Sequence, residues 1–188
     1  MNKENILSKI SKMSEEELID LAHSTSDVEA LNILAENENY EVRCTVAKNK
    51  NTPVELLAVL AQDDDVRVRW VVANNRNTPV NVLAMLAKDE DIDVRYEVAA
   101  NENTSVDVLA MLAKDEYIVV RCAVAENRST PADVLAVLAK DEVYGVRTVI
   151  AANENTSADV LAMLASDKCW WVRHNVANNK NTTAKVLA

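Results

Sequence analysis

Apolar and polar positions alternate along the chain in two helical stripes that recur every 26 residues. Between residues 52 and 73, Leu57, Leu60 and Ala61 follow one another at helical spacing, the run Asp63, Asp64, Asp65 interrupts, and Val68, Val72 and Ala73 resume it. The same alternation returns in register from Ser26 onward, as repeats 26–51, 52–77, 78–103, 104–129, 130–155 and 156–181 and a partial copy, 182–188. A fixed period of this length marks a stacked array, because one such unit cannot bury its own apolar face and needs its neighbours. Each repeat therefore predicts two helices, and the chain predicts an all-α solenoid.

Local signals place the helix ends. Thr52 reads as an N-cap, with Pro53 at the first helical position and Glu55 completing a capping box; Thr78, Thr104, Thr130 and Thr156 repeat that logic. The second helix, about Val66 to Ala73, reads as the shorter of the two, and its two turns are open to either α or 3₁₀ geometry. Residues 1–25 stand outside the period and read as an N-terminal helical cap. Its first helix runs from about Asn2 to Lys12 with Ile6, Leu7 and Ile10 on one face, and its second opens on a Ser14–Glu17 capping box. At the far end, residues 182–188 begin a further helix with no polar cap behind it. That leaves two expectations, a chain cut from a longer array or an end covered by another copy, and Trp170 and Trp171 nearby would suit such self-association.

The combination Thr-Pro-x-x-Val-Leu-Ala-x-Leu-Ala-x-Asp followed by Val-Arg-x-x-Val-Ala-x-Asn resembles the leucine-rich repeat variant family over about residues 26–188. The resemblance implies a right-handed superhelix of alternating α and short α or 3₁₀ helices, HEAT-like and without sheet. Some members carry a cysteine-ligated iron–sulfur cluster ahead of the repeats. Residues 1–25 contain no Cys, so that activity is not carried over, and no cofactor is expected.

Six copies in one chain allow positions to be compared internally. Position 17 of the repeat is always Val, position 22 always Ala and position 21 Val or Ile, which marks the buried face of the second helix. Position 18 is always Arg, namely Arg43, Arg69, Arg95, Arg121, Arg147 and Arg173. Position 12 is Asp63, Asp89, Asp115, Asp141 and Asp167, with Asn37 in the first copy. Regular arginines could hold a polyanion. An equally regular acidic partner favours a structural ladder of bidentate pairs instead. The asparagines of position 24, Asn49 through Asn179, read as a cap and loop ladder, and Met85, Met111 and Met163 at position 8 read as core filler.

Positions 16, 19, 20 and 23 vary freely and share one face of the second helix, opposite the invariant one. The candidate partner-binding residues lie there: Glu41, Cys44, Arg67, Trp70, Val71, Asp93, Tyr96, Glu97, Val119, Cys122, Thr148, Trp171, His174 and Asn175. In the copy around Arg121 the set is Val119, Cys122, Ala123 and Glu126. Trp and Tyr on such a face are the types that anchor interfaces, since they bury large area at small entropic cost. The aromatics of position 15, Tyr40, Tyr144 and Trp170, sit in an apolar column and read as core.

Composition narrows the function classes. One Gly and three Pro among 188 residues suit helices and not strand-and-turn architectures. The formal charge of −10 disfavours phosphate backbones and anionic membranes. There is no apolar run of about 18 residues and no leader-like start, so a cytoplasmic protein is expected. Cys44, Cys122 and Cys169 are too scattered for a disulfide framework or a zinc site. Cys122 beside Arg121 is the one position where a low-pKa thiol could arise, but two distant histidines, His23 and His174, and no phosphate loop or nucleophile motif argue against an enzyme. These readings lead to a non-enzymatic scaffold that holds a protein or peptide along the variable face. Self-association through the C-terminal end and nucleic-acid binding stand as alternatives, the latter disfavoured by acidity.

Overall fold

The first turns of the repeat helices show how the chain uses its polar residues. In the computed structural model, which describes residues 3–183, fourteen helices and no strands are found among the described residues. They are α1 (Lys3–Ile10), α2 (Glu15–Ser24), α3 (Val28–Leu34), α4 (Tyr40–Lys48), α5 (Val54–Leu60), α6 (Val66–Asn74), α7 (Val80–Leu86), α8 (Ile92–Ala100), α9 (Val106–Leu112), α10 (Ile118–Glu126), α11 (Ala132–Leu138), α12 (Tyr144–Ala152), α13 (Ala158–Leu164) and α14 (Trp170–Asn178). The chain forms two compact units, the first ending at Val94 and the second beginning at Arg95. The partial helix expected at 182–188 lies largely outside the described residues.

The second helix of each repeat is α-helical throughout and is the longer one, nine residues against seven for the first, which reverses the expected order of lengths. Helices this short are marginal alone, and packing supplies their stability. In the first unit α2 packs on α4 and α4 on α6; in the second α10 packs on α12 and α12 on α14. Leu31, Leu34, Leu57, Leu60, Leu83 and Leu86 in the first unit, and Leu109, Leu112, Leu135, Leu138 and Leu161 in the second, are fully buried against the invariant Val and Ala of the second helices. At the N-terminus Ser14 and Glu17 form the expected capping box, and Ile6 and Ile10 are buried. Leu7, placed on the same face from sequence, is exposed.

The threonines opening each repeat do not cap the helix they precede. The N-cap of α5, α7 and α11 is Pro53, Pro79 or Pro131, which has no side-chain cap bond, and α9 and α13 are capped by Ser105 and Ser157. Each Thr is buried and donates backwards, to the carbonyl six residues earlier. Thr130 Oγ1 reaches Val124 O at 2.6 Å and Thr156 Oγ1 reaches Ile150 O at 2.7 Å, with Thr52, Thr78 and Thr104 bonded alike. The hydroxyl is a second donor to a carbonyl of the last helical turn, which also accepts the amide three residues on, as Ile150 O accepts Asn153 N at 3.1 Å.

Position 24 joins consecutive repeats. Asn75 Nδ2 donates to Ala47 O at 2.7 Å in the first unit, and Asn153 Nδ2 to Ala125 O at 2.6 Å in the second, while each Oδ1 accepts the amide two residues on. Met85, Met111 and Met163 are exposed, as are Val59 and Val137 at the same position. They line the outer side of the first helices and do not fill the core. Position 8 lies about 100° around the helix from position 9, which points inward, so a uniformly apolar column here is not a buried one.

Candidate interaction surface

The arginine column is committed internally. Arg43 forks onto Asp63 with Nε at 2.7 Å and Nη2 at 2.9 Å, and Arg69 grips Asp89 at 2.7 and 3.0 Å. In the second unit Arg95, Arg121 and Arg147 grip Asp115, Asp141 and Asp167 in the same way. The third donor, Nη1, bonds carbonyls of the loop ahead of its own helix, as in Arg121 to Asp115 O at 2.9 Å. Arg173 keeps these carbonyl bonds, to Asp167 O and Lys168 O. Each aspartate also accepts the amide two residues on, for example Val143 N to Asp141 at 2.9 Å, so it shapes the turn and holds the guanidinium together. Asn37, standing where the other copies have Asp, keeps the turn through Asn39 N and receives Arg43 on its carbonyl.

The cysteines are free thiols, half-buried, and their surroundings quiet them. Burial pushes the Cys44 thiol up to about 11, helped by Asp65, and raises Cys122 despite the adjacent Arg121, whose charge is taken by Asp141. Cys122 is therefore not the depressed-pKa thiol its neighbour suggested. His23 and His174 fall in different units, and no group of three or more His, Cys, Asp or Glu among the described residues could hold a metal ion.

The variable positions lie on the outer side of the second helices. In the first unit Glu41, Arg67, Trp70 and Asp93 are exposed, and Cys44 and Val71 are half-buried. In the second, Tyr96, Val119, Trp171 and His174 are exposed, Glu97, Cys122, Thr148 and Asn175 are half-buried, and Ala123, named from sequence as part of the recognition set, is buried. Thr148 spends its hydroxyl on Tyr144 O at 2.7 Å, one turn back. The exposure of the three key aromatics, 39% for Trp70, 37% for Tyr96 and 50% for Trp171, is high for residues of this size.

Beside Trp70 the first unit has a groove of about 210 Å³ lined by Val66, Arg67, Trp70, Asp91 and Asp93. Its one cation is already neutralised. Arg67 forks onto Asp65, Nε at 2.9 Å and Nη2 at 2.6 Å, and its guanidinium lies 3.2 Å above the Tyr40 ring. The Arg67 hydrogen bond holds the Asp65 carboxyl down at about 2. Asp93 is left to give the groove a negative edge next to an indole face.

Sequence reasoning missed part of the surface in the second unit. Tyr144 and Trp170, read as core because position 15 is apolar in every copy, are exposed, as are Ile118 and Tyr117. The Trp170 and Trp171 rings stack on each other with centroids 3.6 Å apart. The available signal was the residue before them: a helix that opens on Tyr117, Val143 or Cys169 has given up a polar cap.

Two-helix repeats joined by an arginine–aspartate ladder define a helical-repeat scaffold, and the comparisons give its type. The family described as leucine rich repeat variant matches residues 40–65, one full period. A solved structure, a leucine-rich repeat variant with a novel repetitive structural motif, aligns over 99% of this chain and 74% of its own at 27% identity and a TM-score of 0.76. An engineered protein aligns at 17% identity over 94% of each chain with a TM-score of 0.36, too low to carry an argument. No curated protein matches the sequence. The chain is thus similar to the leucine-rich repeat variant in sequence over residues 40–65 and in fold over the aligned length.

Proposed function

We propose that this repeat array is a non-enzymatic, cytoplasmic scaffold that holds a protein or peptide partner on the exposed side of its second helices. The observation that carries the reading is the groove of the first unit, where Trp70 stands beside Asp93 with the neighbouring Arg67 already paired to Asp65. An indole face next to a carboxylate suits a lysine or arginine side chain, which gains a cation–π contact and an ion pair in one place. The first unit carries eight more acidic than basic residues, so a basic segment is also drawn to it at long range.

The test is capture of partners by the immobilised chain, compared with Trp70→Ala and Asp93→Asn. Binding that weakens with salt and drops with both substitutions supports the reading; equal recovery by all three proteins sinks it. Tight, salt-sensitive retention of duplex DNA or RNA on a filter would favour the nucleic-acid alternative instead.

A further inference from the structure

The two units differ at one place in the repeat, the N-terminal ends of their second helices. In the first unit these ends read Asn39-Tyr40-Glu41, Asp65-Val66-Arg67 and Asp91-Ile92-Asp93. The first residue of each caps its helix, accepting the amide two residues on at 2.8, 2.9 and 2.8 Å. In the second unit they read Tyr117-Ile118-Val119, Val143-Tyr144-Gly145 and Cys169-Trp170-Trp171, and none of the three leading residues makes a side-chain cap bond. The second helices of three successive repeats have thus exchanged a stabilising polar group for Tyr117, which is exposed, and for Val143 and Cys169, which are half-buried. Nothing in the fold asks for this, because the first unit builds the same helices with caps.

The exposed set is Tyr117, Ile118, Val119, Tyr144, Trp170 and Trp171. Ile118 and Tyr144 are exposed even though a further repeat follows each of them. The three ends are neighbours, since α10 packs on α12 and α12 on α14, and in the first unit the equivalent side chains touch across one repeat, Arg67 on Tyr40. With about 200 Å² per aromatic side chain, four half-exposed rings and two aliphatics present on the order of 500 Å² of apolar surface, the size at which a patch marks an interaction site.

We propose that this patch is a dimer interface, and that its occupant is the same patch of a second copy of the chain. Three observations select a second copy. A two-fold interface requires one surface to hold both a projection and a recess. The stacked Trp170 and Trp171 are half exposed, while Gly145, between Val119 and Trp171 in the column, has no side chain, and an added Cβ would make an ordinary contact with Val143 Cγ1 at 3.8 Å. Charge permits the approach: the second unit carries only two more acidic than basic residues, against eight in the first, so two second units repel weakly. Area is sufficient, as two such patches with their polar rims reach roughly 1,200 Å², the lower bound for a specific interface. The groove beside Trp70 belongs to the first unit and the patch to the second, so dimerisation and partner binding are tested by separate substitutions.

Sedimentation velocity of the full chain over a wide concentration range tests this. The expected result is a monomer–dimer equilibrium with a dissociation constant on the order of micromolar, the weak end for interfaces of this size. Gly145→Arg fills the recess from an open position, and Tyr117→Asn removes an edge ring while restoring a cap, so neither threatens the fold. Each should weaken the dimer by about tenfold or more, with Trp70→Ala leaving it unchanged. A monomer at concentrations roughly a hundredfold above the micromolar range overturns the proposal and leaves the patch to an unrelated partner. A dimer indifferent to both substitutions, or a species that keeps growing beyond two copies, overturns it as well.

Discussion

Arg121 grips Asp141 across the boundary between two repeats, with Nε 2.6 Å and Nη2 3.1 Å from the two carboxylate oxygens and both side chains at most 10% exposed. Taking away the guanidinium would leave Asp141 buried, charged and still bent into its turn. Arg121→Ala should therefore lower stability by about 3 kcal/mol, the lower end of the range for breaking a buried pair. Arg121→Lys restores charge without the fork and should recover about half of that loss. Urea denaturation reads both, and Arg67→Ala, which breaks an exposed pair, should leave the midpoint where it was. A change below about 1 kcal/mol for Arg121→Ala would show that the ladder follows the fold without supporting it.

The ladder also predicts behaviour in acid. The Asp167 carboxyl is held below the ordinary range, first by the Arg147 hydrogen bond and then by the Cys169 amide and the Arg147 charge, which together outweigh its burial. A carboxyl with a depressed folded value contributes stability that is present above its unfolded value of about 3.9 and is lost as pH falls through the folded one. Asp141 shifts the same way: burial raises it, and the bonds and charges of Arg121, Val143 and Arg147 more than reverse that. Thermal melts should change little from neutral pH down to about 5 and fall steeply below about 4. Asp167→Asn should be less stable at neutral pH and show a shallower acid slope; an unchanged slope would count against the assignment.

Thr156 offers a test of the backward hydroxyl. Its Oγ1 donates to Ile150 O at 2.7 Å and the residue is fully buried. Thr156→Val keeps the volume and the branching but removes the hydroxyl, so Ile150 O keeps only the Asn153 amide at 3.1 Å, and the loss of that one hydrogen bond costs about 1 kcal/mol. Thr156→Ser keeps the bond and should lose less. If Val and Ser are equivalent in denaturation, the hydroxyl is not what selects Thr.

The repeat architecture was readable because it rests on periodicity: Leu57, Leu60, Val68, Val72 and Ala73 recur at fixed offsets, and all are buried. What escaped reading depends on relations that periodicity does not encode. Thr52 before Pro53 has the local signature of an N-cap, yet its bond runs to Val46 O in the helix behind it. Met85 and Tyr144 occupy columns that are apolar in every copy, a pattern that reads as burial. Both are exposed, because a helix in an array buries one face only and a column beside that face can stay apolar for other reasons. The groove at Trp70 could not be foreseen either, since it needs Arg67 to turn toward Asp65 and Tyr40 and so leave Asp93 unneutralised by it.

The missing caps of the second unit make the sharpest stability prediction, because the first unit supplies the reference within the same chain. Tyr117, Val143 and Cys169 stand where Asn39, Asp65 and Asp91 each bond the amide two residues on. Val143→Thr and Cys169→Ser are nearly isosteric and add only a hydroxyl, while Tyr117→Asn reproduces the residue of α4. Each should stabilise the chain by roughly 0.5 to 1 kcal/mol, and Asn39→Ala should lower stability by about 1. Gly145→Ala, in the first turn of α12 with room for its methyl group, should add about 0.5 kcal/mol. For a chain of this length each kcal/mol moves the melting temperature by about 2 to 4 °C, so the combined variant is well within the reach of calorimetry. Raised melting temperatures would mean that the chain holds stability in reserve at α10, α12 and α14 and has apolar surface there in exchange. Unchanged or lowered values would mean that those amides are already satisfied, and the contrast between the two units would lose its functional meaning.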